Sequence, residues 1–166
     1  MLYVIYQEDG PDSKAIRAAT KLPLFIKLTP NITDIAEPAL AAQESGADAV
    51  SLINTLMGMG IDPETRRPIL SNIVGGLSGP AIRPVAVKMC WDCAKALRIP
   101  IIGMGGICTA ADAMQFILVG ATAVSLGSYS FRQPDAAMRV VQGLEDYCTR
   151  HRVDDITTLI GGMIKT

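Results

Sequence analysis

The residues of this 166-residue chain with the clearest chemical potential are glycines. Gly103, Gly105 and Gly106 follow the stiff apolar run Ile99, Ile101 and Ile102, and Thr109 is placed to cap a helix beginning TAADAMQF. A turn without Cβ atoms lets an anion reach the backbone amides, and a helix start adds N–H groups and the positive end of its dipole. Phosphate suits such a turn, although the same glycines could simply allow positive φ. A second run, Ala123 to Leu126, ends likewise in Gly127-Ser128, where Ser128 adds a hydroxyl. In (β/α)8 barrels the loops after the last two strands often bind phosphate jointly, at the face that carries the active site. Two neighbouring strands sharing one phosphate are therefore expected.

Three polar residues stand at the ends of other apolar runs. PLFIKL, from Pro23 to Leu28, carries Lys27 near its end. A lysine in a buried strand points to solvent or meets an anionic or electron-rich ligand, and its place at the strand's C-terminal end favours the ligand. ADAVSLI, from Ala47 to Ile53, delivers Asn54 and Thr55, whose donors and acceptors suit an amide or carboxylate ligand but also suit an ordinary loop.

The elements that must position these residues alternate strand and helix. Expected helices are Asp12 to Thr20 (capped by Asp12 or Ser13), one opened by Thr33-Asp34 and closed by Gly46, Ala81 to Leu97, Thr109 to Val119, Gln133 to His151, and a last short one from Asp155 to Ile164. Leu2 to Tyr6 is a further possible strand. Leu56 to Gly79 is long for a βα connection, where two to six residues are usual. Pro63 to Arg66 reads as a hairpin tip within it, and Gly75 to Pro80 as a third glycine turn ahead of a helix. GADAVSLINT from Gly46 resembles GATAVSLGSY from Gly120, and PLFIKLTP aligns loosely with IPIIGMGG. The fold expected is α/β, the C-terminal half of a (β/α)8 barrel spanning residues 1–166 as one partial domain. A complete barrel needs about 250 residues.

Composition narrows the function. A hydrophobic fraction of 49% and mean hydropathy of +0.32 fit parallel strands buried on both faces. A net charge of −1, without a Lys/Arg cluster or aromatic platform, argues against nucleic acid. No segment reads as a signal peptide or membrane span, and four cysteines without scaffold spacing fit a reducing cytoplasm. Cys90 and Cys93 have CxxC spacing, but they fall far along a helix and the chain has a single histidine, His151. Packing is favoured over zinc or redox chemistry. His151, in a polar stretch, is expected to be solvated.

Taken together, FIKLTPNITDI, SLINTLMGMGIDPETRRPIL, GGLSGPAIRPVA, IPIIGMGGI and AVSLGS resemble the C-terminal half of class 1 dihydroorotate dehydrogenases, notably the NAD-linked catalytic-subunit type, from about Pro23 onward. The resemblance implies an FMN-containing barrel that oxidises dihydroorotate to orotate in pyrimidine biosynthesis. It implies that Lys27 contacts the flavin, that Ile53 and Gly79 pack against it, and that Gly105, Gly106, Gly127 and Ser128 hold its phosphate. Asn54 and Thr55 match the substrate-binding pair. Ser128 stands where many relatives have Thr, which keeps the hydroxyl. In that family the base is a cysteine from the N-terminal half; nothing here matches that half, and Cys108 cannot be equated with the base. Four consecutive βα units leave two strands without neighbours and an open apolar interior, which invites a partner chain or a homo-oligomer; the resemblance adds an iron–sulfur electron-transfer subunit as a candidate partner. Competing readings are a dihydropyrimidine dehydrogenase-like reduction and a non-catalytic half-barrel that binds a phosphorylated ligand.

Overall fold

The computed structural model describes residues 2–6 and 13–164, with side chains from Ser13 onward. Five parallel strands form one sheet: β1 (Leu2–Tyr6), β2 (Leu24–Leu28), β3 (Ala49–Leu52), β8 (Ile101–Met104) and β9 (Ala123–Ser125), in the order β1-β2-β3-β8-β9. Helices α1 (Ser13–Ala19), α2 (Ala36–Glu44), α3 (Arg83–Ala96), α4 (Ala110–Val119), α5 (Tyr129–Arg132) and α6 (Ala136–His151) alternate with them. The α/β alternation expected from the apolar runs is present. β1 enlarges the four-strand core to five by pairing in register with β2. The repeated segments become β3 and β9, which flank β8 on either side.

Alternation along β2 buries Leu24, Ile26 and Leu28 completely and turns Phe25 and Lys27 to the other face. All four residues of β3 are buried, as a central parallel strand requires. The core between sheet and helices is aliphatic, with Ile35, Ala39, Ala86, Ile107, Ala113 and Phe116 among its members. Cys90 and Cys93 are fully buried within it, so the CxxC pair packs as expected. Burial pushes both thiols up to about 12. At the other end of the sheet Arg17 docks α1: it donates to Asp48 at 3.0 Å and to the Leu22 carbonyl at 3.0 Å. The Leu24 amide and that guanidinium hold the Asp48 carboxyl below its ordinary range. Ser13 begins α1, while the alternative cap, Asp12, lies outside the described residues.

Several local expectations are corrected. Gly75 and Gly76 are not a turn; they lie inside β7 (Val74–Leu77), which pairs antiparallel with β4 (Leu56–Met59). A smaller hairpin, β5 (Ile61–Asp62) with β6 (Arg67–Pro68), carries the Pro63–Arg66 tip as read from the sequence. Gly103 belongs to β8 rather than to the turn, and its missing Cβ makes room for Phe116, whose ring carbon would lie 2.6 Å away. The helix opened by Asp34 starts at Ala36, whose amide donates to the Asp34 carboxylate at 2.9 Å. Helix α6 starts at Ala136 rather than Gln133, and the final segment is a 3-10 turn over Ile156–Leu159. His151 is exposed and stacks on Tyr147, with ring centroids 4.2 Å apart.

Candidate functional site

A cavity of about 720 Å³ opens at the C-terminal ends of the strands. Each wall comes from a different strand end. β2 contributes Lys27; the chain after β3 contributes Ile53, Asn54 and Thr55; the turn after β8 contributes Gly105, Gly106 and Cys108; and the turn after β9 contributes Gly127 and Ser128. Gly79, ahead of the 3-10 turn Pro80–Ile82 and helix α3, completes the ring. All nine residues singled out in the sequence thus line one cavity. Of the supposed third glycine turn only its end, from Leu77 to Gly79, reaches the cavity.

Backbone hydrogen bonds lock these strand ends together. The Ile53 amide donates to Met104 at 3.0 Å and the Asn54 amide to Leu28 at 2.9 Å, so the segment after β3 is held by both neighbouring strands. The Leu52–Ile53 peptide is cis. Asn31, after β2, was not marked out by the sequence: it donates to the Thr55 carbonyl at 3.1 Å and accepts from the Met57 amide at 2.8 Å. Its only sequence signal is a polar residue just past a strand end. Lys27 is half-buried on the inward face, level with Ser51 of β3. Among the described residues no carboxylate forms an ion pair with it.

The turn after β8 is tighter than its composition suggests. Gly106 has φ of +69°, and a Cβ there would sit 2.5 Å from the Gly79 carbonyl oxygen and 3.0 Å from Arg83 Cβ. Gly127 is the opposite case: a Cβ would meet nothing within 4 Å.

The N-terminus of helix α4 is capped in part by its own side chains. Thr109 accepts from the Asp112 amide, and Asp112 Oδ2 accepts from the Thr109 amide at 2.9 Å and the Cys108 amide at 3.0 Å. That reciprocal cap is a capping box, legible in the Thr-x-x-Asp spacing. Asp112 Oδ1 also meets Arg83 Nη1 at 2.6 Å. The two glycine turns, Gly105-Gly106 and Gly127-Ser128, both face the cavity.

Among the described residues the titratable groups on the cavity wall are Lys27, Cys108 and Tyr129, with neither carboxylate nor imidazole among them. Cys108 donates to the Gly106 carbonyl at 3.7 Å. Burial, followed by the Asp112 carboxylate, pushes its thiol up, against the pull of Arg83 and Arg132. A protonated thiol is a poor base. Among the described residues no cluster of side chains could hold a metal ion, and no helix is long and apolar enough to cross a membrane. The arrangement suits binding of a ligand with an apolar body and an anionic tail.

Known proteins resemble this chain in sequence and in fold. Residues 12–148 match the model of the dihydroorotate dehydrogenase family. The catalytic subunit of dihydroorotate dehydrogenase B (NAD(+)) from Porphyromonas gingivalis is 54% identical over 151 residues, covering 91% of this chain and 49% of the relative. The corresponding subunit from Alkaliphilus oremlandii is 54% identical over 149 residues, covering 90% of this chain and 49% of that relative. Among solved structures, dihydroorotate dehydrogenase from Eimeria tenella in complex with ferulenol superposes with a TM-score of 0.70 at 31% identity, covering 84% of this chain and 38% of the other. The chain spans about half the length of the curated relatives it matches. It belongs to the dihydroorotate dehydrogenase family.

Proposed function

We propose that this chain is the flavin-holding part of an FMN-dependent dihydroorotate dehydrogenase, and that it oxidises dihydroorotate to orotate when the rest of the barrel is supplied. The observation that supports this reading most is the convergence of nine residues, from four strand ends and the α3 approach, on one cavity. Two glycine turns after neighbouring strands match the phosphate site that such barrels build after their last two strands, so the chain is read as a C-terminal half.

The cavity fits FMN. Its volume lies in the range of cofactor sites. Ile53 and Met104 offer an apolar wall to a flat ring, and Gly127 leaves open space where a phosphate could approach the backbone. In this reading Lys27 contacts the ring, Ile53 and Gly79 pack against it, Gly105, Gly106, Gly127 and Ser128 hold the phosphate, and Asn54 and Thr55 bind the pyrimidine. Bound FMN would supply the hydride-accepting chemistry. The chain itself orients both molecules and lends the cationic Lys27.

It does not supply the base. Burial and the Asp112 carboxylate push the Cys108 thiol up, toward its protonated form, and among the described residues the cavity wall carries neither carboxylate nor imidazole. A positioned base contributes about 10²–10⁴-fold, so the chain alone is proposed to be inactive and the base to come from the other half of the barrel. That half would pair with the open edge of β9, as a partner chain or in a homo-oligomer. The relatives' name, catalytic subunit, fits a companion subunit, which we propose carries electrons away through iron–sulfur chemistry.

Complementation tests the proposal. The chain is mixed with the separately produced N-terminal half of a close relative, and flavin reduction by dihydroorotate is followed anaerobically. Reduction is expected only in the mixture, with loss in Lys27→Ala and Asn54→Ala. Robust reduction by the chain alone would overturn the assignment of the base.

A further inference from the structure

An ion pair behind the glycine turn joins the start of α3 to the first turn of α4. Asp112 occupies the place an anion would take at the start of α4: its Oδ2 receives the Cys108 and Thr109 amides. It is nearly buried, with its side chain 10% exposed, and the residue it binds, Cys108, lies on the cavity wall. A carboxylate fixed there braces the turn but opposes a phosphate arriving at Gly105 and Gly106, because like charges in a sheltered site are poorly screened. Arg83, the first residue of α3, reaches across and meets the other oxygen, Oδ1, at 2.6 Å. Its Cβ would lie 3.0 Å from a Cβ on Gly106, so the cation is held against the same turn. Cys108 registers both charges, Asp112 pushing its thiol up and Arg83 pulling it down.

We infer that Arg83 is a positioning residue that cancels the Asp112 carboxylate, so that the turn keeps its brace and still accepts a phosphate ester. Asp112 fixes the geometry and Arg83 sets the charge. The inference rests on the reading of the cavity as an FMN site. It goes beyond that reading by assigning phosphate selectivity to two residues that do not line the cavity.

The pair makes a prediction of opposite sign for its two members, which a merely structural clasp does not. FMN and riboflavin, which differ by the phosphate, are titrated into the full chain and followed by flavin fluorescence. Arg83→Met should lower the FMN-to-riboflavin affinity ratio about tenfold, the effect of an uncompensated charge near a second charge. Asp112→Asn, which keeps an acceptor for the two amides, should raise that ratio while lowering thermal stability. The double variant should return it to near the wild-type value. If Arg83→Met does not fold, Arg83→Gln makes the same charge change, and Arg83→Lys should preserve the ratio. A ratio unchanged in both single variants, or lowered in both, overturns the inference alone. Failure of the wild-type chain to bind either flavin overturns the FMN reading and this inference with it.

Discussion

The side-chain amide of Asn31 donates to the Thr55 carbonyl at 3.1 Å, joining the loop after β2 to the loop after β3. Because Asn31 also accepts from the Met57 amide, one side chain brackets the Asn54-Thr55 segment from outside the cavity. Asn31→Ala removes both bonds, each worth about 0.5–1.5 kcal/mol net. In the complemented enzyme, orotate affinity measured by calorimetry should fall about three- to tenfold. The fold, which does not depend on this exposed loop, should melt near the wild-type temperature.

Gly106 and Gly127 separate packing from ligand approach. Gly106→Ala places a methyl 2.5 Å from the Gly79 carbonyl at a φ of +69°. Overpacking of this kind costs about 1–3 kcal/mol, and the left-handed backbone adds about 1–2. Denaturant unfolding should register the loss. Gly127→Val projects into open space and should change stability by less than about 0.5 kcal/mol, while FMN affinity measured by fluorescence drops at least about tenfold as the cradle fills.

The buried thiols predict an alkaline limit to stability. Cys90 and Cys93 are held protonated up to about 12, whereas the ordinary value of the unfolded chain is 9.0. Above pH 9 the unfolded chain releases protons that the folded chain retains. Stability is therefore complete below pH 9 and falls through the window from 9 to 12, by about 1.4 kcal/mol per pH unit for each thiol. Urea midpoints across that range should decline, and Cys90→Ala with Cys93→Ala should flatten the slope while lowering stability at pH 7. In native protein near pH 8, Cys90 and Cys93 should resist a thiol reagent until the chain unfolds.

Much of this fold was legible because the signals were local. Val, Ile and Leu runs identify β2, β3, β8 and β9, and polar residues placed just past each run identify the cavity lining. Glycine is where the reading failed, since the residue itself does not say why the Cβ is missing. Gly103 accommodates Phe116 from α4, a contact between segments distant in sequence. Gly75 and Gly76 sit in a strand whose antiparallel partner, Leu56–Met59, is itself interrupted by Gly58, so neither arm has a normal β composition. Thr109 was recognisable as a cap, but the reach of Asp112 to Arg83 joins two helices and could emerge only from their packing.

In the proposed function FMN occupies the cavity between Lys27 and the Gly127-Ser128 turn. Titration of FMN into the purified chain, followed by flavin fluorescence, tests it most directly. The predicted result is a saturable change with one site per chain, weakened by Lys27→Ala and by Gly127→Val. Fluorescence that remains that of free FMN up to the solubility limit of the protein would contradict it.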